Sequence, residues 1–199
     1  MGSREEILAA LRAGAAVDAS GLPLPELPTT GIRFEDPVAR FLVAISEVGG
    51  SGVRVAGPDD VEGALEALPQ YREARRVAAC VPGVSRANVD LAAVKDPHQL
   101  ADVDFAVLPG ELGVAESGAV WVLESRIHPR AVAFLAQHIA VVLPAAAIVE
   151  ELHQAYSRIR LGERGFSMWL SGPSKTADIE QALVIGAHGP RSCHAIVVG

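Results

Sequence analysis

A carboxylate set between glycines is the first place in this chain where chemistry could sit. Gly113-Val114-Ala115-Glu116-Ser117-Gly118-Ala119 drops Glu116 between two apolar, strand-like runs. Glycine lets a backbone turn sharply or approach a ligand closely, and a carboxylate at such a bend can act as nucleophile, base or acceptor. A tight turn with a solvated Glu accounts for the same residues. Further along, Ser171-Gly172-Pro173-Ser174-Lys175-Thr176-Ala177-Asp178-Ile179-Glu180 packs hydroxyls and one Lys together after an apolar run. Read as a helix start, it offers free N–H groups, a dipole, hydroxyls and a cation, which is an anion site for phosphate or carboxylate. An ordinary helix start with acidic Asp178 and Glu180 in its first turn reads equally well. The third stretch, Gly186-Ala187-His188-Gly189-Pro190-Arg191, holds His188 on a constrained backbone, either as a proton carrier near neutral pH or as an exposed turn residue.

Several chemistries lack their signatures. Ser174 rather than Gly precedes Lys175, so the second stretch is no Walker A loop. There is no GxGxxG, no GxSxG and no HExxH spacing, which leaves a Rossmann dinucleotide site, a nucleophile elbow and a paired-His metal site unsupported. Cys80 and Cys193 stand far apart, too few for a cysteine-ligated iron–sulfur cluster, and read as small buried hydrophobes. A net charge of −7 argues against a nucleic-acid surface. With no signal-peptide core and no long unbroken apolar run, a soluble cytoplasmic protein without membrane insertion is expected.

The elements that would position these residues follow from periodicity. Ser3-Arg4-Glu5-Glu6 has capping-box spacing and predicts a helix ending near Gly14. Residues 18–33, with Pro23, Pro25 and Pro28, read as an extended arm, so residues 1–33 form a helix plus proline-rich arm and residues 34–199 the main domain. Asp36-Pro37 starts a helix that Gly49-Gly50 ends. Strands are expected at 52–56, 76–81, 104–108, 119–123, 138–143, 166–170 and 194–198. Helices are expected from Gly57 through Leu68, around Pro97 to Ala101, and as a long run from Pro144 towards Gly162 carrying Ile148, Val149, Leu152, Tyr156 and Ile159. The alternation predicts an α/β fold with a mixed, mostly parallel sheet covered by helices.

Taken together, the three stretches and the N-terminal Ser3-Arg4-Glu5-Glu6-Ile7-Leu8 resemble the LUD-domain family, more closely its lactate utilisation protein C (LutC) branch, over nearly the whole chain. The resemblance implies a fold similar to the phosphosugar isomerase/CoA-transferase-like (NagB/RpiA-like) group. It also implies a subunit of an L-lactate utilisation system that oxidises L-lactate to pyruvate with iron–sulfur partner subunits. No cofactor would sit in this chain, which would handle a small carboxylate or other anionic substrate and be inactive alone. In that reading Glu116 orients or deprotonates the substrate hydroxyl and His188 accepts a proton. Lys175 holds the carboxylate with Ser171, Gly172, Ser174, Thr176 and Asp178, beside Ser117 and Gly118. Two positions depart from the family pattern: Ala119, where many relatives carry a hydroxyl, and Lys175, where Arg is frequent and would offer a planar fork. Ala115-Glu116-Ser117-Gly118 also looks similar to the glutamate loop of class I CoA-transferases. An independent transferase or isomerase acting on an acyl-CoA or phosphorylated small molecule through Glu116 is therefore one alternative, and a non-catalytic assembly or regulatory subunit is another.

Overall fold

The computed structural model describes residues 2–14, 21, 23, 31–160, 165–179 and 182–199. It separates into two compact units, Met1–Gly31 and Ile32–Gly199. In the first, α1 (Ser3–Gly14) buries none of its residues within the chain. Most of the expected proline-rich arm lies outside the described residues.

The second unit opens with α2 (Pro37–Glu47). Asp36 accepts the Ala39 N–H at 3.0 Å, and Pro37 occupies a first-turn position where its missing donor costs nothing. Its apolar stripe buries Phe41, Ala44 and Ile45. Then come β1 (Ser51–Val55), α3 (Val61–Glu66), α4 (Pro69–Glu73), β2 (Val77–Ala79), β3 (Phe105–Pro109), β4 (Leu112–Val114) and β5 (Ala119–Leu123). These are followed by α5 (Val132–Leu135), β6 (His138–Pro144), β7 (Ile148–Val149), α6 (Leu152–Arg158), β8 (Ser167–Leu170), β9 (Lys175–Ile179), β10 (Ala182–Ile185) and β11 (Ser192–Val198).

The central sheet runs β1-β11-β6-β3-β2 and every pair in it is parallel. Parallel pairs need crossovers, and a sheet covered on both faces needs continuous apolar strands. β3 accordingly is buried at all five positions, and β11 at five of seven. On one face Tyr71, Phe105, Val107, Ala140 and Ile196 pack with Val61 and Leu65 of α3. On the other, Ile139, Val141, Ala195 and Val197 pack with Phe41 and Ile45 of α2. The α/β class with a mostly parallel, helix-flanked sheet is thus the observed architecture.

A second sheet, β7-β4-β5-β8, carries the antiparallel hairpin β4–β5, and β9–β10 form a separate antiparallel ribbon. Two sequence expectations are corrected here. The long helix from Pro144 does not form: Pro144 pairs with Val198 as the end of β6, and Val149 pairs with Val114 across β7 and β4. After one 3-10 turn at Ala145–Ala147, α-helix begins only at Leu152, so the helical spacing of the apolar residues held for one short stretch. The helix after Ser171 is also absent, since Lys175-Thr176-Ala177-Asp178-Ile179 is strand β9, with Lys175 opposite Ile185 and Thr176 opposite Val184. The acidic pair Asp178 and Glu180 mimics a helix start, but a partner strand was available for Thr176 and its neighbours to pair with. The anion cradle of a helix N-terminus goes with it.

Candidate functional site

Glu116 lies in the turn between β4 and β5. Ala115 N–H donates to Val149 O and Glu116 N–H to Glu150 O, at 2.8 and 3.0 Å, which prolongs the β4–β7 pairing past the strand ends. The turn closes through Gly118, whose φ is +65° and whose N–H reaches Val114 O at 2.9 Å. It rests directly on α2: a Cβ at Gly118 would stand 2.5 Å from Ile45 N. The half-buried Glu116 carboxylate is turned towards α6, where Oε1 accepts the Leu152 N–H at 2.7 Å. A side-chain acceptor on an unpaired first-turn N–H is a capping contact.

The other two stretches gather at the same end of α2. Ser171 Oγ donates to Ser117 O at 3.0 Å, joining the first loop to the second. Gly172, with φ +76°, passes so close to α2 that a Cβ there would lie 2.6 Å from Val48 O. Ser174 N–H donates to Pro190 O and Gly186 N–H to Ser174 O, both at 2.9 Å, joining the second loop to the third. Lys175 is exposed and runs past the last turn of α2, with its ammonium 3.6 Å from where a Gly49 Cβ would be. That end of a helix carries partial negative charge, so Lys175 already has a favourable partner in it.

The structure therefore brings Ser117, Gly118, Ser171, Gly172, Ser174 and Lys175 around one helix end. Thr176 and Asp178 continue from there along β9. Glu116 shares the loop, but its carboxylate engages a different helix. His188 is exposed at the tip of the third loop, and no hydrogen bond joins its ring to another described side chain.

Two groupings were not legible in the sequence. Beyond the carboxyl ends of β3, β6 and β11 lies a cavity of about 540 Å³ lined by Pro58, Val81, Pro109, Leu143 and Val198, with the Glu111–Arg126 ion pair (3.3 Å) on its wall. Open α/β sheets bind ligands at this edge.

At the opposite edge a polar row crosses the strands. His138 Nδ1 meets Ser192 Oγ at 2.8 Å, Ser192 Oγ meets His194 Nε2 at 2.9 Å, and His194 Nδ1 meets Ser51 Oγ at 2.7 Å. Phe105 stacks on both rings, 6.5 and 6.3 Å away. Burial pushes the His194 pKa down to about 4, with His138 adding to the effect. Burial and then the Arg191 charge lower that of His138, against a smaller opposing pull from Asp104. Only the parallel register makes neighbours of residues this far apart, and Ser192-Cys193-His194 hinted at it by placing two polar groups on one strand face.

Both thiols are held protonated. Burial raises the pKa of Cys80 to about 11 and that of Cys193 to about 12, so neither is a reactive thiolate near neutral pH. Among the described residues no group of three or more His, Cys, Asp or Glu is placed to hold a metal ion. None of the described helices is long and apolar enough to cross a membrane.

Comparison with known proteins adds a family. The model described as LUD domain matches residues 42–198. The chain is 34% identical over 106 residues to Lactate utilization protein C of Shouchella clausii, a match covering 50% of this chain and 46% of that protein. Against the protein of the same name from Halalkalibacterium halodurans it is 35% identical over 101 residues, covering 47% and 44%. The chain spans about half the length of the curated relatives it matches. In fold it is similar to a DUF162 family protein from Deinococcus radiodurans solved by crystallography. That match has a TM-score of 0.60 at 20% identity and covers 85% of this chain and 100% of the other.

Proposed function

Because the chain belongs to the LUD domain family, we propose that it is a subunit of an L-lactate utilisation system that oxidises L-lactate to pyruvate with iron–sulfur partner subunits. The observation that carries this reading is its likeness to proteins named Lactate utilization protein C. Oxidising a 2-hydroxy acid to a 2-oxo acid releases two electrons and two protons. Two cysteines are too few for an iron–sulfur cluster, which takes about four thiolates, so the redox groups are assigned to the partners. The subunit is assigned to the cytoplasm.

The three-loop cluster is the proposed place for the small carboxylate. Ser174 and Thr176 hydroxyls and the Lys175 ammonium supply donors, Ser117, Gly118, Ser171 and Gly172 shape the loops, and Asp178 follows on β9. Glu116 serves the substrate hydroxyl by exchanging its Leu152 N–H partner for it, and His188 carries a proton at the rim. The convergence of the three loops on the end of α2 supports this placement. The negative helix end beside Lys175 weighs on it, because any bound anion shares that surroundings.

The test is reconstitution. Purified alone with L-lactate and an artificial electron acceptor, the chain should be inactive, and adding it to its partner subunits should restore oxidation. Lactate oxidation by the chain alone, or full activity of the partners without it, overturns the reading. Glu116→Gln keeps an acceptor for Leu152 N–H while removing the charge. It should lower reconstituted activity by about a hundredfold or more with an unchanged unfolding midpoint. Unchanged activity would reduce Glu116 to a helix cap.

A further inference from the structure

The cavity at the amino edge of the sheet, about 270 Å³ in volume, divides its polarity between its two ends. The register of the parallel strands aligns Phe105, His138 and Ser192. The residues just before β3, β6 and β11, Asp104, Gln137 and Arg191, therefore form a row. Asp104 and Arg191 are two strand spacings apart, about 10 Å along the sheet, which their side chains narrow but do not close.

On the β3 side the groups are acceptors. Asp104 Oδ2 takes the Arg75 and Arg76 N–H groups at 2.8 and 2.9 Å, which hold its carboxyl below the usual range and keep it charged. The Glu73 carboxylate comes from α4, and so does Gln70, whose Oε1 is buried without a hydrogen-bond partner. On the β11 side stands the Arg191 guanidinium, which none of the ion pairs among the described residues engages.

His138 lies between these ends. Ser192 has one hydroxyl proton and two imidazole neighbours, so it donates to one and accepts from the other. The row from His138 to Ser51 consequently has two neutral polarities. In one, His138 Nε2 is an acceptor; in the other, every proton shifts along the row and Nε2 becomes a donor. The middle of the cavity can meet either kind of ligand atom.

Two carboxylates, one guanidinium and a neutral imidazole leave this cavity with a net negative charge. A simple carboxylate would be held at Arg191 and repelled by Asp104 and Glu73. A ligand carrying both charges matches both ends. We propose that the amino-edge cavity binds a small zwitterionic α-amino acid, with its ammonium on Asp104 and Glu73 and its carboxylate on Arg191. The site takes Arg191 from the end of the third loop, but it does not depend on the lactate assignment.

Titration of the whole chain with L-alanine, followed by calorimetry and by the His138 imidazole resonances, tests this. L-Alanine should saturate in the millimolar range and move the His138 signals. L-Lactate, which replaces the ammonium with a hydroxyl, and ethylamine, which lacks the carboxylate, should each bind at least tenfold more weakly. Arg191→Leu, at an exposed position, should weaken L-alanine at least tenfold without moving the unfolding midpoint. No saturation by 50 mM L-alanine, equal or tighter binding of L-lactate, or wild-type affinity in Arg191→Leu overturns the proposal.

Discussion

Burial at the amino end of β11 holds the His194 imidazole neutral, and that has a consequence for stability. Its pKa is about 4 in the folded chain against an ordinary value of 6.5, because desolvation and the facing His138 both disfavour the cation. Above pH 6.5 neither state binds the proton and nothing is lost. Between pH 6.5 and 4 the unfolded chain takes it up and the folded chain does not, so stability falls as the pH falls through this window. A shift of this size corresponds to a few kcal/mol in total. His138, lowered in the same direction, adds to the slope, and the Arg191 and Asp104 charges facing it pull opposite ways. Urea denaturation at pH 7.5 and pH 5 should show the loss, and His194→Gln should flatten the difference. An equal slope in the variant would mean that other groups carry the acid sensitivity.

At the scale of elements, close backbone approaches to α2 fix the loops alongside the Ser171 and Glu116 side-chain bonds. The β4–β5 turn is pressed on α2 so closely that a methyl at Gly118 would meet Ile45 N at 2.5 Å, and the positive φ disfavours any side chain there as well. Gly118→Ala should therefore destabilise by about 2 kcal/mol or more, read as a lower urea midpoint with an unchanged m-value. A neutral result would show that the turn can lift from the helix. The same close approach explains what could be read in advance. Glu116 between glycines marks a turn, because tight backbone geometry writes itself into residue type. Asp36-Pro37 marks a helix start for the same reason. Lys175 to Ile179 does not announce a strand, because its pairing with β10 is a tertiary choice and its acidic residues fit a helix start equally well. Val149 likewise joins β4 through a contact 35 positions distant in sequence, which no local period encodes. The His138–Ser192–His194–Ser51 row is the extreme case: each residue is ordinary alone, and the row exists only in the register of three strands.

For the molecule as a whole, the decisive feature is how self-contained the second unit is. Ile32–Gly199 holds the central sheet, the small second sheet, the β9–β10 ribbon and all three buried clusters. Its own start is tied down: Ile32 N–H donates to Glu151 at 3.1 Å, Phe34 N–H to Glu150 at 3.2 Å, and Arg33 pairs with Glu150 at 2.5 Å. These bonds anchor the chain entry beside α6 without using any residue before Ile32. By contrast α1 buries none of its residues, and Ile7 and Leu11 are 59% and 63% exposed. A helix of twelve residues with no packed face is marginal in water by itself. Deleting residues 1–31 should therefore leave a chain that unfolds cooperatively, with a midpoint within about 2 °C of the full-length protein. Binding of L-alanine at the amino-edge cavity should persist as well, since its lining residues all belong to the second unit. A large fall in midpoint or a loss of cooperativity would show that the first unit contributes to the core of the second. If instead stability persists while reconstituted lactate oxidation is lost, the exposed apolar residues of α1 act on a partner.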